Sequence, residues 1–207
     1  MRVMDNGSAI VQDIAPLRDF VRGMTALADA GADEARFLRE APQLLRRLVL
    51  SDNWLLPEYT APTDTFRQLL LHCDPQERFS VVCFVWGPGQ QTPIHNHTVW
   101  GLVGVHQGEE ISTEMIADPN GGPMRPGRVD RVKRGEVVVL SSDSYDTHRV
   151  ENAVEGRTSI SIHVYGANIG AVKRAMFNPE TSEPEYFISG YDNKSVPNLW
   201  DLSRSAN

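Results

Sequence analysis

The sequence predicts a mainly β fold, an antiparallel barrel or jelly roll with its helices collected outside. Three observations lead there. Short β-rich runs follow one another from residue 66 to residue 165. Turn residues punctuate them at Pro88-Gly89, Pro119-Asn120-Gly121-Gly122 and Pro126-Gly127. Apolar residues at helical spacing belong instead to the first fifty residues.

In chain order, Leu17, Phe20, Val21, Met24 and Leu27 mark one helical stripe. Leu38, Ala41, Leu44, Leu45, Leu48 and Val49 mark a second after Gly31. Such stripes mean core packing. Residues 53–64, with Pro57 and Pro62, form a loop that closes the helical part. Strands are expected at 66–72, 79–86, 92–97, 99–106, 110–117, 129–132, 137–140, 147–151 and 158–165. The tail after Phe177 is polar and broken by prolines, and is expected to wrap the surface with little regular structure. Residues 1–207 thus read as one domain: a helical part (1–52), a barrel (66–166) and a C-terminal extension (167–207).

Composition narrows the function classes. The chain has 207 residues, with 20 Lys and Arg against 27 Asp and Glu, a formal charge of −7. A chain this long buries a sufficient core without a disulfide or metal, so a metal site is read first as functional. The negative charge and the lack of a basic run argue against nucleic acid or an anionic membrane as partner. No apolar stretch approaches the roughly 20 residues of a membrane span. Residues 1–16 show no apolar leader core and contain Asp5 and Asp13. Cys73 and Cys83 match no paired-cysteine metal or redox pattern and are expected to be free thiols in a reducing cytoplasm.

Among six histidines, His95 and His97 follow a Pro-Gly turn. In an extended segment, residues two apart project to one side, which puts both imidazoles in one space. His148 comes from a later predicted strand. Any one of the three, taken alone, reads as a satisfied polar residue of the barrel wall. Three neutral imidazoles converging from two segments suit a divalent metal. Ser161, His163 and Tyr165 alternate along the last predicted strand and share one face, whether as a functional group or as the polar side of an ordinary strand.

These residues carry a resemblance. Gly89-x5-His95-x-His97 followed by Gly108, and Gly135 followed by His148-x3-Asn152, resemble the two motifs of the cupins. The acidic residue that many cupins place four or five positions after the second histidine is missing, and Gly101 and Leu102 stand there. That departure is similar to the cysteine dioxygenase type I family. So are the segment from Phe79 through Trp86-Gly87-Pro88-Gly89 to Thr98, the segment 141–150 running into Glu151-Asn152, and the Ser161-x-His163-x-Tyr165 strand. The resemblance spans roughly residues 40–175.

It implies a ferrous iron cofactor held by His95, His97 and His148. It also implies addition of both atoms of dioxygen to a thiol sulfur, giving a sulfinic acid. Tyr165 would place its hydroxyl near the reacting sulfur, with His163 and Ser161 fixing the proton. Some family members cross-link a cysteine just after the second metal histidine to the tyrosine; Thr98 to Gly104 contains none, so no cross-link is expected.

The family's carboxylate-binding strand corresponds to residues 65–70, where Arg67 and Gln68 must face opposite sides and counting alone leaves open which turns inward. The run Phe66-Arg67-Gln68-Leu69-Leu70 resembles a bacterial subgroup with Gln in the pocket. That subgroup prefers 3-mercaptopropionate and uses a later Arg, matched by Arg174, for the carboxylate; the bland reading of Arg174 is a solvated helix-end cation. The implied partners are a small thiol carboxylate and dioxygen, with L-cysteine the alternative substrate. A zinc or manganese cupin isomerase or hydrolase, and a cupin that only binds a ligand, are the competing classes.

Overall fold

Two amphipathic helices open the part of the chain described by the computed structural model, which covers residues 13–142 and 146–202. The leader reading of residues 1–16 lies, for residues 1–12, outside the described residues, as do residues 143–145 in the segment before His148. Helix α1 (Ala15–Asp29) carries Pro16 in its first turn, where its fixed φ and missing N–H are tolerated. It ends at Gly31, at φ 67°, in the left-handed conformation that favours glycine. Helix α2 (Glu34–Leu50) is capped by Asp33, whose carboxylate accepts from the Arg36 N–H at 2.8 Å. The expected stripes are buried: Leu17, Met24, Ala41, Leu45 and Val49 have no exposed surface. Each large apolar side chain so buried contributes about 1.5–3 kcal/mol.

Ten strands follow among the described residues: β1 (Arg67–Cys73), β2 (Ser80–Trp86), β3 (Gly101–Gln107), β4 (Glu109–Ile116), β5 (Arg125–Lys133), β6 (Val137–Leu140), β7 (His148–Asn152), β8 (Ser159–Tyr165), β9 (Arg174–Phe177) and β10 (Pro184–Phe187). The pairing is antiparallel throughout. One sheet has the order β1-β2-β8-β3-β6, a second β5-β4-β7, and β9 and β10 form a hairpin. The mainly β fold with outlying helices expected from the sequence is therefore present.

The five-stranded sheet is buried on both sides, which explains why its strands β2 and β8 are buried along their whole length. Its outer face, with Val81, Cys83, Val85, Leu102, Ile160, Ile162 and Val164, packs against the helices. Its inner face, with Val82, Phe84, Trp86 and Tyr165, meets Val150 of β7. In β8 the apolar residues point to the helices and Ser159, Ser161, His163 and Tyr165 point into the barrel, so the polar side of this strand is its interior side.

Three expectations need correction. Residues 92–97 do not form a strand: Pro93 lacks the N–H a ladder needs, and pairing is limited to isolated bridges, of Gln91 with Glu151 and of His95 with His148 and Met176. The Pro126-Gly127 turn lies inside β5, where the register against β4 shifts between Thr113 and Met115. The loop expected at 53–64 is present; it buries Trp54, Leu55 and Tyr59 in the helix-side core and includes a short 3-10 turn, Pro57–Tyr59. The tail is not without regular structure, because β10 pairs with β9.

Candidate metal centre

The three histidines converge because β7 and the loop before β3 are tied together at single residues. His95 and His148 exchange backbone N–H···O bonds of 3.0 Å in both directions. One imidazole nitrogen from each of His95, His97 and His148 lies within 4.8 Å of the others. The ring centroids are 4.9 Å apart for all three pairs. Rings bound to one ion through nitrogens about 2.1 Å from it stand at this kind of separation.

The second nitrogen of each ring is already engaged. His95 Nδ1 donates to the Pro93 carbonyl at 3.0 Å, and His97 Nδ1 donates to Asp146 Oδ1 at 3.1 Å. His148 Nδ1 is 2.8 Å from the Ser112 hydroxyl. A carbonyl and a carboxylate only accept, so in His95 and His97 Nδ1 carries the hydrogen and Nε2 keeps its lone pair for a metal. Asp146 also accepts from the backbone N–H groups of His97 (2.8 Å) and Thr98 (3.0 Å), with Thr98 turned to φ 62°. Burial alone would raise the Asp146 carboxyl; the hydrogen bonds from His97 and Thr98 outweigh it and hold the group below its ordinary value.

The site holds its imidazoles neutral. Burial, then the neighbouring His97, depress His95 to about 3. Burial also drives His97 down and His148 well below the usual value. Three neutral, pre-oriented nitrogen donors without a carboxylate among them fit a divalent first-row ion and leave its charge for anionic ligands.

Behind the ligands lies a hydrogen-bonded chain on β8. Ser161 Oγ is 2.8 Å from His163 Nε2, and His163 Nδ1 is 2.9 Å from the Tyr165 hydroxyl. The Trp86 indole N–H donates to Ser161 Oγ at 3.1 Å. The Tyr165 ring stacks with that of His97 at 5.3 Å. Burial raises the Tyr165 hydroxyl and, followed by the charges of His97 and His95, pushes His163 well below its ordinary value, so both are neutral.

Beside His95 opens a cavity of about 330 Å³ lined by Phe66, Gln68, Phe84, Arg174, Phe187 and Ser189 among others. Two larger clefts, one between α1 and α2 and one where α2 meets β5 and β6, do not reach the histidines. Of the two adjacent residues, Gln68 turns inward to the cavity; Arg67 turns outward and donates to the Glu58 and Ala61 carbonyls. Gln68 Nε2 donates to Ser189 Oγ at 3.1 Å and the Gly190 carbonyl at 3.0 Å.

Arg174 is not on a helix end but on β9, and only 4% of it is exposed. Its guanidinium donates to Ser189 Oγ at 2.7 Å, lies 4.8 Å from the Phe187 ring centre, and leaves Nε buried without a partner among the described residues. Asn96, between two of the histidines, fixes the position of β9: its N–H donates to the Ala175 carbonyl at 3.1 Å and its side chain accepts from the Ala175 N–H at 2.9 Å.

Sequence reasoning missed Ser112, Asp146, Phe187 and Ser189. Their partners lie far away in the chain, and no local pattern announces them; an Asp two residues before a candidate ligand was the one available hint. Cys83, buried on the helix side of β2, accepts no role in the site, and burial pushes its thiol up.

Residues 60–175 match the family model described as cysteine dioxygenase type I. Among solved structures, the chain is similar to an uncharacterized conserved protein with a double-stranded β-helix domain from Klebsiella pneumoniae, with 17% identity, a TM-score of 0.43, and 66% of this chain and 96% of that one covered. It is also similar to an RmlC-like cupin protein from Desulfovibrio desulfuricans, with 22% identity, a TM-score of 0.41, and 56% and 96% covered.

Proposed function

The chain belongs to the cysteine dioxygenase type I family, and from that premise we propose that it is a non-haem iron(II) thiol dioxygenase acting on a small carboxylate thiol, 3-mercaptopropionate by preference. The observation that carries the reading is the pairing of a three-imidazole centre with a buried, incompletely satisfied guanidinium in the adjoining cavity. Iron(II) held by His95, His97 and His148 would supply the positions where the thiol sulfur and dioxygen meet. Everything else falls to the chain's own side chains.

Arg174, held by Ser189, takes the substrate carboxylate, a charged hydrogen bond contributing about 1.5–3 kcal/mol. Gln68 offers its amide beside it, and Phe66 and Phe84 give the methylene groups an apolar wall. Tyr165 presents its hydroxyl beside His97, with His163 and Ser161 holding its orientation, a donor placed where charge develops on the reacting atoms. L-cysteine is the second reading, favoured by the Asp192 carboxylate in the same cavity wall, an acceptor for an α-ammonium.

The deciding experiment loads the protein with iron anaerobically and follows oxygen uptake with 3-mercaptopropionate, L-cysteine and cysteamine, identifying the sulfinate product. The highest kcat/KM is expected for 3-mercaptopropionate. Preference for cysteamine, which lacks a carboxylate, would reject the Arg174 assignment. Absence of uptake with every thiol, or purification with zinc or manganese in stoichiometric amount, would favour the other cupin classes.

A further inference from the structure

Glu110 on β4 is 1% exposed, and neither carboxyl oxygen has a hydrogen-bond partner among the described residues. A buried carboxyl left in that state is costly and calls for an explanation. It lines a small internal cavity of about 10 Å³ together with Ser112, His148, Val103, Val132, Val138, Leu140 and Val150. A space of that size is at the limit for one water. Ser161 and the Trp86 indole are near enough to pull the carboxyl's pKa down, but burial dominates and raises it to about 8. The other titratable groups set around it are His148 across the cavity, His163 and Tyr165 along β8, and Cys83 on β2; β3, β5 and β6 present only apolar side chains there.

The carboxyl therefore stands at the inner end of the Trp86–Ser161–His163–Tyr165 chain. Trp86 can only donate, which fixes one of the Ser161 bonds. With a neutral acid beside it, Ser161 accepts from Trp86 and, after a turn of the carboxyl within its cavity, from Glu110. It then donates to His163 Nε2, His163 donates from Nδ1 to Tyr165, and the Tyr165 proton is free to point at the metal site. With a carboxylate beside it, Ser161 donates to Glu110 instead, His163 must donate from Nε2, and Tyr165 donates back to His163 Nδ1. From Ser161 to Tyr165 each donor meets an acceptor in both arrangements, so the protonation state of one residue decides which holds.

We propose that Glu110 is a positioning residue that sets the direction of this chain, leaving Tyr165 a donor toward the metal site while neutral and turning its proton inward on ionisation. The change conserves protons. The Glu110 proton passes to Ser161, that of Ser161 to His163 Nε2, and that of His163 Nδ1 to Tyr165; the former Tyr165 proton leaves to water in the pocket, and no heavy-atom bond changes. The catalytic consequence rests on the dioxygenase reading, whereas the hydrogen-bond reversal does not.

The test measures the ¹⁵N shifts of the His163 ring nitrogens, which distinguish the two neutral tautomers, in the metal-free full-length protein on either side of the Glu110 ionisation. The signals are assigned by their loss in His163→Gln. The wild type is expected to convert from the Nδ1–H to the Nε2–H form as pH rises, while Glu110→Gln and the apolar Glu110→Leu hold the Nδ1–H form throughout. A wild-type tautomer that does not change, or a change that persists in both variants, overturns the proposal. In the iron-loaded enzyme, wild-type kcat is expected to fall about tenfold per pH unit above the Glu110 ionisation, and Glu110→Gln is expected to remove that fall with KM for 3-mercaptopropionate little moved. Absence of thiol-dependent oxygen uptake by the wild type sinks the dioxygenase reading and leaves the tautomer measurement to decide Glu110.

Discussion

The three imidazoles are held by partners of different kinds: a backbone carbonyl for His95, a carboxylate for His97 and a hydroxyl for His148. Only the carboxylate adds charge to its ring, so Asp146 is the partner whose loss acts most on the metal. Asp146→Asn is expected to lower metal affinity about 10–100-fold, read by chelator competition, with little change in the fold. Tyr165→Phe removes one hydroxyl and leaves the His97 contact; iron content is expected to stay near wild type while turnover falls about 100-fold, and ordinary turnover at ordinary iron content would contradict the role. Arg174→Ala is expected to raise KM for 3-mercaptopropionate about 10–100-fold, the equivalent of one charged hydrogen bond. At this scale the shared direction of His95 and His97 was legible because alternation in an extended segment depends on two residues alone. Asp146 and Ser112 were not, since what they touch is decided by how separate strands meet.

Among the elements, α2 reaches the barrel by lying against a gap in β3. A Cβ at Gly104 would come within 3.0 Å of Leu45 and 3.1 Å of Val49, both fully buried. Gly104→Val therefore pushes the helix off the sheet, and is expected to cost about 1–3 kcal/mol in denaturant unfolding. The contrast between β8 and residues 92–97 shows where sequence patterns stop. The alternation of β8 told correctly which residues share a face, but the convention that the polar face meets water is reversed here, because helices cover the apolar side and the barrel encloses the polar one. Residues 92–97 carried the same alternation without a ladder, since Pro93 interrupts it. The facing of Arg67 and Gln68 depended on register, which became readable only once β1 was paired with β2.

For the molecule as a whole, buried ionisable groups shape the dependence of stability on pH. Burial lowers the pKa of His72 and His106, and sets His163 well below its ordinary value. The unfolded chain then binds protons near pH ~6.5 that the folded chain refuses. The stabilisation is complete above that pH and is lost as pH falls through it toward the folded values. Glu110 acts in the opposite sense: between its unfolded value near ~4.3 and its folded value of about 8, stability is lost as pH rises. The melting temperature is expected to pass through a maximum between these limits, and Glu110→Leu is expected to flatten its alkaline side; a melting temperature that stays level down to pH ~5 would contradict the histidine contribution.

The chain order of the pocket has a consequence for biosynthesis. All three imidazoles and their Nδ1 partners precede residue 149, whereas the cavity wall is completed by Phe187 and Ser189. A ribosome-bound chain consequently makes His95, His97 and His148 before the residues that orient Arg174, so on the proposed function the parts that would capture the ion are synthesised ahead of those that would select the thiol.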